Sequence, residues 1–180
     1  MLIGVCGQPG AFSEAAVRAM AAHVDRPAIF PLSNPTSRAE ATAESLLAWT
    51  EGRALIGTGS PSLPVRWNGR LVPIAQTNNA YVFPGIGLAV IAVNARRVTD
   101  AMFMAAARAL PLLSPARHDP GAPLLPPVTE LRAVAVAVAT AVARQAQADG
   151  VADPCEEDEL QRRIRAQIWE PVYRPYRRIP

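Results

Sequence analysis

The sequence predicts an α/β fold: a parallel sheet with crossover helices on its faces. Short apolar runs with β-branched residues alternate with alanine-rich stretches of helical spacing. Each apolar run closes on glycine, proline or small polar residues, the usual punctuation at strand ends. The resulting order of strand, helix, strand, helix, strand is that of repeated crossover units.

Leu2 to Cys6 reads as a buried strand, interrupted by Gly7-Gln8-Pro9-Gly10. Ser13 stands where an N-cap belongs, before a helix from Glu14 to about His23 that Asp25-Arg26-Pro27 breaks. Ala28 to Leu32 is the second strand, ended by Ser33-Asn34-Pro35-Thr36. Ala39 to Trp49 reads as the second helix and stops at Gly52. Ala54 to Ile56 is the third strand, closing on Gly57-Thr58-Gly59-Ser60-Pro61.

Val65 to Ile74 has the form of a small hairpin with Asn68-Gly69 in its turn. A buried helix is expected over Phe83 to Ala95, with Pro84 in its first turn, where the missing N–H is not needed. Another follows from Thr99 and Asp100 to Leu110, with Met102, Phe103, Ala106 and Leu110 as its core stripe. Leu112 to Pro127 is proline-rich and reads as a loop. Thr129 to Ala148 is a helix by its length and its stripe of Leu131, Val134, Val138 and Val142. Glu156 to Trp169 is a final amphipathic helix, and Glu170 to Pro180 a proline-broken tail.

Composition narrows the function. At 180 residues and 50% hydrophobic, the chain suits one domain with a sizeable core. Cys6 and Cys155 lack the spacing of a disulfide framework or a zinc site, and His23 and His118 are too distant for a metal cluster. Met1 opens directly onto Leu-Ile-Gly-Val with no leader, and the apolar run from Ala80 to Val93 is too short to span a bilayer. A soluble cytoplasmic protein with no membrane partner is the expectation.

All 18 basic side chains are arginine, so no amine is present to serve as a general base. The C-terminal cluster of Arg162, Arg163, Arg165, Arg174, Arg177 and Arg178 follows acidic Glu156, Glu157, Asp158 and Glu159 and shows no interleaved aromatic stacking pattern. That pattern points to a solvated or subunit-contacting tail rather than to nucleic acid.

Open parallel sheets bind ligands beyond the carboxyl ends of their strands. Three such ends here are Gly7 to Gly10, Ser33 to Thr36 and Gly57 to Pro61. Pro35 biases Asn34 to an extended backbone that aims its carboxamide out of the sheet. Asn78 and Asn79 stand at the mouth of the helix that begins near Phe83, where a free N-terminus favours a carboxylate or phosphate. These asparagines either bind a ligand or only cap and turn the chain. Gly57-Thr58-Gly59 resembles the start of a dinucleotide fingerprint, but Ser62 replaces its third glycine and prolines follow.

Several segments together resemble the malic enzymes: Gly10-Ala11-Phe12, Arg26-Pro27-Ala28-Ile29-Phe30, Leu32-Ser33-Asn34-Pro35-Thr36 and Ala39-Glu40-Ala41-Thr42-Ala43-Glu44. Gly59-Ser60-Pro61, Asn78-Asn79-Ala80-Tyr81-Val82-Phe83-Pro84-Gly85 and Ala95-Arg96-Arg97-Val98-Thr99-Asp100 follow in the same order. The resemblance implies a partial Rossmann-like three-layer domain over residues 1–152, with a C-terminal helix and Pro/Arg-rich tail over 153–180.

It also implies oxidative decarboxylation of L-malate to pyruvate and CO2, with NAD or NADP accepting the hydride and Mg²⁺ or Mn²⁺ holding the substrate. Asn34 matches the family's asparagine that contacts substrate and the nicotinamide end, Asn78 or Asn79 the one that contacts the malate carboxylate, and Gly7, Gly10, Ser33 and Asn34 lie where the cofactor passes. The family's glycine-rich lead into the asparagine pair is Ala75-Gln76-Thr77 here.

The family's catalytic tyrosine and lysine, its acidic metal ligands and its dinucleotide glycine loop all precede the stretch that this chain resembles. No catalytic residue or metal ligand is therefore expected in it. The expectation is the C-terminal nucleotide- and malate-binding part of a malic enzyme, inactive alone, whose partner is the missing N-terminal half or a second copy. The alternatives are a non-catalytic interaction module derived from such a half-domain and an unrelated nucleotide-binding protein.

Overall fold

The computed structural model describes residues 1–173 and 175–176, so Arg174, Arg177 and Arg178 of the basic tail lie outside the described residues. The chain divides into two compact units, Met1–Tyr81 with Leu110–Leu131, and Val82–Ala109 with Arg132–Pro180.

The first unit runs β1 (Leu2–Gly4), α1 (Glu14–Ala21), β2 (Ala28–Pro31), α2 (Ala43–Trp49), β3 (Leu55–Thr58), β4 (Val65–Trp67), β5 (Arg70–Val72) and β6 (Ala75–Gln76). Its sheet is parallel throughout, in the order β1-β2-β3-β6. Ile3 stands opposite Phe30, Ile29 opposite Ile56, and Thr58 opposite Gln76. The hairpin of β4 and β5 is antiparallel, with Asn68 and Gly69 in left-handed conformations at its turn. Val17, Ile29, Leu46 and Leu47 are fully buried and, with Phe12, Ile56 and Val65, form one core.

Four features of this unit differ from expectation, one being that the third strand runs on to Thr58, where Gly57 and Thr58 pair with Ala75 and Gln76 instead of opening the turn. The first strand ends at Gly4, two residues before Cys6, because the backbone N–H of Cys6 turns to the Glu40 carboxylate. The second helix starts at Ala43, not Ala39, since Thr42 Oγ1 accepts the Ser45 N–H at 3.2 Å and sets the cap there. Ala75–Gln76 is a short fourth parallel strand where the sequence predicts only the exit from a hairpin. Two residues are too few to show a period of two.

The proline-rich stretch and its flanks carry short 3₁₀ turns at Leu110–Leu113, Pro115–Arg117 and Val128–Glu130, the last of which defers the helix expected from Thr129 to Leu131. It is held by the buried Tyr81, whose hydroxyl donates to the Pro126 carbonyl at 2.5 Å, and by Arg26, which donates to the Pro120 carbonyl at 2.6 Å.

The second unit is helical: α3 (Phe83–Ala92), α4 (Asp100–Ala109), α5 (Leu131–Ala148) and α6 (Glu157–Ala166). Pro84 sits in the first turn of α3. Gly85 lets α3 approach α5, because a Cβ there would stand 2.6 Å from Val138 Cγ1. Val134, Val138 and Val142 of the α5 stripe are buried, as are Leu160 and Ile164 of α6. Met102 and Ala106 of α4 are buried, but Phe103 is 53% exposed and leaves the expected core stripe. Phe103 is only one residue, about 100°, round from Met102, so spacing alone does not assign it to the buried face. Among the described residues no helix is long and apolar enough to cross a membrane.

Candidate functional site

Because all four strands run parallel, the segments that leave them emerge along one edge of the sheet. Those segments hold Gly7 to Gly10 after β1, Ser33 and Asn34 after β2, Ser60 after β3, and Asn78 and Asn79 after β6.

Two hydrogen-bonded links join neighbouring segments. The first centres on Glu40, whose side chain is wholly buried. Its Oε1 accepts the Cys6 N–H at 2.9 Å and the Ser33 hydroxyl at 2.5 Å, and the Cys6 thiol lies 3.5 Å from the same oxygen. Its Oε2 accepts the Ser33 N–H at 3.4 Å. The Ser33 hydroxyl oxygen in turn accepts the Gly7 N–H at 2.8 Å.

A buried carboxylate resists ionisation through desolvation, but bonds from the Ser33 hydroxyl and from the backbone at Glu40, Cys6 and Ser33 outweigh that here. Together they hold the Glu40 pKa down to about 2. Glu40 thus stays charged and acceptor-only, tying the β1 exit to the β2 exit. Gly4 makes this possible, since a Cβ at that position would run into the Glu40 side chain and the Phe12 ring.

The second link is from Ser60 to Asn34, whose Oδ1 accepts the Ser60 hydroxyl at 2.5 Å. Gly59 sits between them, and a Cβ on it would collide with the Leu32 carbonyl oxygen. The Asn34–Pro35 peptide is cis, and Asn34 is exposed. One face of its carboxamide is therefore occupied, while the amide nitrogen points its donors elsewhere.

Asn78 and Asn79 lie on the same edge, two strands over from Asn34, about 10 Å away by inter-strand spacing. No hydrogen bond joins either of them to Asn34 among the described residues. The Asn78 Oδ1 accepts the Ala80 N–H at 2.8 Å and closes an Asx turn, so its oxygen does the capping work. Asn79 is exposed and opens the 3₁₀ turn Asn79–Tyr81 that intervenes before α3.

Gly7 and Gly10 both adopt left-handed backbone, with φ of 68° and 74°, and open space surrounds the Cβ position of each. That leaves a bare loop surface for a flat ligand to approach. Gly57 differs: a Cβ on it would meet the Thr77 hydroxyl and the Phe30 ring. The apparent glycine fingerprint is therefore strand packing.

A cavity of about 260 Å³ lies beside the β2 and β3 ends, lined by Ser33, Thr36, Thr58 and Ser60 among others, though not by Asn34 or Gly7. It is below the roughly 300 Å³ at which small-molecule sites begin, so it does not enclose a dinucleotide. The sequence has no glycine loop of the pyrophosphate-binding spacing. No three His, Cys, Asp or Glu side chains gather to hold a metal among the described residues. The acids present do not fit a divalent ion.

Glu40 and Ser60 are the site residues that sequence reasoning missed. The signal for Glu40 was Thr42: a threonine cap two residues on places Glu40 outside the helix and frees its side chain to turn inward.

The family model described as malic enzyme, NAD-binding domain, matches residues 1–147. The NAD-dependent malic enzyme of Erwinia tasmaniensis is 54% identical over 178 residues, 99% of this chain and 32% of that protein. The Acinetobacter baylyi NAD-dependent malic enzyme is 49% identical over 180 residues, again 32% of its length. In structure, the Pyrococcus horikoshii malic enzyme superposes with a TM-score of 0.68 at 26% identity, covering 91% of this chain and 34% of that one. The Entamoeba histolytica malic enzyme gives 0.64 at 25% identity, over 88% of this chain and 31% of that one. The chain spans about a third of the length of these relatives. It belongs to the malic enzyme family, within the NAD-binding domain.

Proposed function

We propose that this chain supplies the C-terminal nucleotide- and malate-facing part of an NAD-dependent malic enzyme, which converts L-malate to pyruvate and CO2, and that it is inactive alone. The observation that carries this is the linked strand-end edge: Glu40 and Ser33 tie the β1 exit at Gly7 to the β2 exit, and Ser60 ties Asn34 of the β2 exit to the β3 exit, with Asn79 exposed on the same edge. Residues 1–152 form the nucleotide-binding portion in this reading, and residues 153–180 its C-terminal helix and tail.

NAD is preferred to NADP because the most similar relatives named above are NAD-dependent. When bound, NAD accepts the hydride. This chain's residues do the positioning. The Gly7 and Gly10 loop offers a flat backbone surface to the nicotinamide end, the free amide donors of Asn34 face substrate and ring, and Asn79 donates to a malate carboxylate. Asn78, its oxygen spent on the Ala80 N–H, orients the pair. The lysine-free sequence supplies no amine base and the described acids no metal site, so those parts come from another polypeptide segment. The protein is assigned to the cytoplasm, in keeping with the free thiols of Cys6 and Cys155.

The test is to supply the isolated chain with L-malate, Mn²⁺ and NAD, alone and then mixed with the first two thirds of the Erwinia tasmaniensis relative. NADH should form only in the mixture. Turnover by the isolated chain, or none in a mixture shown to associate, would overturn the reading.

A second reading, a non-catalytic interaction module, is favoured by the β1 edge. Ile3 of β1, a strand paired on one side only, is 53% exposed, and Met1 and Val5 on either side of the strand are 75% and 76% exposed. Apolar strand edges of this kind recruit another chain.

A further inference from the structure

On the opposite edge of the same sheet, the segments that enter β2, β3 and β6 enclose a second cavity of about 590 Å³. That is well inside the range of roughly 300–1,000 Å³ for small-molecule sites. Arg26 and Arg53, just before β2 and β3, line it together with Arg70 at the start of β5, and no lining residue is acidic. Arginine keeps its charge at any working pH, so three cationic residues contribute to the wall of one space.

Among the described residues none of the three forms an ion pair within 4.0 Å. Arg53 is instead fixed by neutral partners, donating to the carbonyls of Ala21, Val24 and Asp25 at 3.0–3.2 Å. Arg26 is held by the Pro120 carbonyl. Carbonyl dipoles position a guanidinium without cancelling its charge, which leaves both groups pre-organised for an anion.

Asp25, Glu51 and Asp119 neighbour lining residues in sequence but do not line the cavity, and Asp119 accepts the Gly121 N–H at 2.8 Å. Asn68 is the one other polar side chain in the lining, and the rest of the wall is apolar. Trp67, packed against Gly52, stands with Leu71 and Ile74.

We propose that this cavity binds a phosphorylated small molecule, its phosphates on Arg26, Arg53 and Arg70 and its planar group against the Trp67 wall. Bidentate N–H donors match phosphate oxygens, and an apolar wall beside them suits a ring rather than a bare ion. The site is separate from the strand-end edge assigned to nicotinamide and malate, and it stands whether or not that assignment holds.

Isothermal titration calorimetry of the full chain with pyrophosphate, ADP and adenosine tests this. Pyrophosphate should bind, and ADP more tightly. Arg70→Gln, at an exposed side chain with no hydrogen-bond partner among the described residues, should weaken both about tenfold while leaving the fold intact. Asn34→Ala and Arg162→Gln should leave the affinity unchanged. The proposal is overturned if pyrophosphate does not bind at millimolar concentration, or if Arg70→Gln and Arg26→Gln both bind as the parent does. An Asn34→Ala loss equal to that of Arg70→Gln would also overturn it, by placing the anion at the other edge. ADP binding no more tightly than pyrophosphate would remove the Trp67 wall from it.

Discussion

Ser33 and Glu40 meet through a 2.5 Å hydrogen bond from the serine hydroxyl to Oε1, and the same hydroxyl oxygen accepts the Gly7 N–H at 2.8 Å. One buried carboxylate thereby fixes the relative position of two strand exits that hold four of the six expected cofactor and substrate residues: Gly7 and Gly10 on one side, Ser33 and Asn34 on the other.

Glu40→Gln should destabilise the chain by about 2–3 kcal/mol, because an amide group then faces donors that a carboxylate satisfies. The variant should also change the acid limb of stability. The folded-state pKa of Glu40 is lowered from 4.5 to about 2, so its contribution is fully present above pH 4.5 and lost as pH falls towards 2. That contribution is roughly 3 kcal/mol at neutral pH. Urea denaturation at pH 7 and pH 3 should show a smaller pH dependence in Glu40→Gln than in the parent.

Glycine substitutions should separate close packing from backbone strain. Gly59→Ala places a Cβ on the Leu32 carbonyl and should cost about 3 kcal/mol. Gly7→Ala meets open space at φ 68° and should cost only about 1 kcal/mol. Denaturation midpoints compared at constant m value measure both.

Gly85→Ala should destabilise the helical unit by about 1–3 kcal/mol through overlap with Val138, with the strand-end edge left as it is. Amide exchange across α3 and α5 should rise, while protection in β2 and β3 stays.

The exposed β1 edge should make the chain associate as concentration increases. Ile3→Lys, placing a charge on that edge, should shift sedimentation towards the monomer with little loss of stability, since Ile3 is 53% exposed.

Much of this was legible in the sequence. Ser13 caps α1 and Asn68-Gly69 turns the hairpin as their residue chemistry dictates. Asn34, Asn78 and Asn79 were recognisable as carboxamides at a strand or helix end. What sequence does not show is tertiary satisfaction. The alanines beside Glu40 extend the helical pattern across it, and only the fold reveals Cys6, Ser33 and Gly7 arriving around one carboxylate. Nor does local pattern show which asparagine of a pair spends its oxygen on the backbone; the Ala80 N–H chooses Asn78. β6 escaped because two residues carry no periodicity, although their pairing with β3 brings Asn78 and Asn79 to the shared edge.

The most direct measurement is an NMR titration of the isotope-labelled chain with nicotinamide riboside, a probe with no phosphate to engage the arginine cavity. The amides of Gly7, Gly10, Ser33, Asn34 and Ser60 should shift together at millimolar ligand, and Asn34→Ala should abolish the response. Shifts confined to other residues, or none at these five, would contradict a nicotinamide-facing edge built by Glu40 and Ser60.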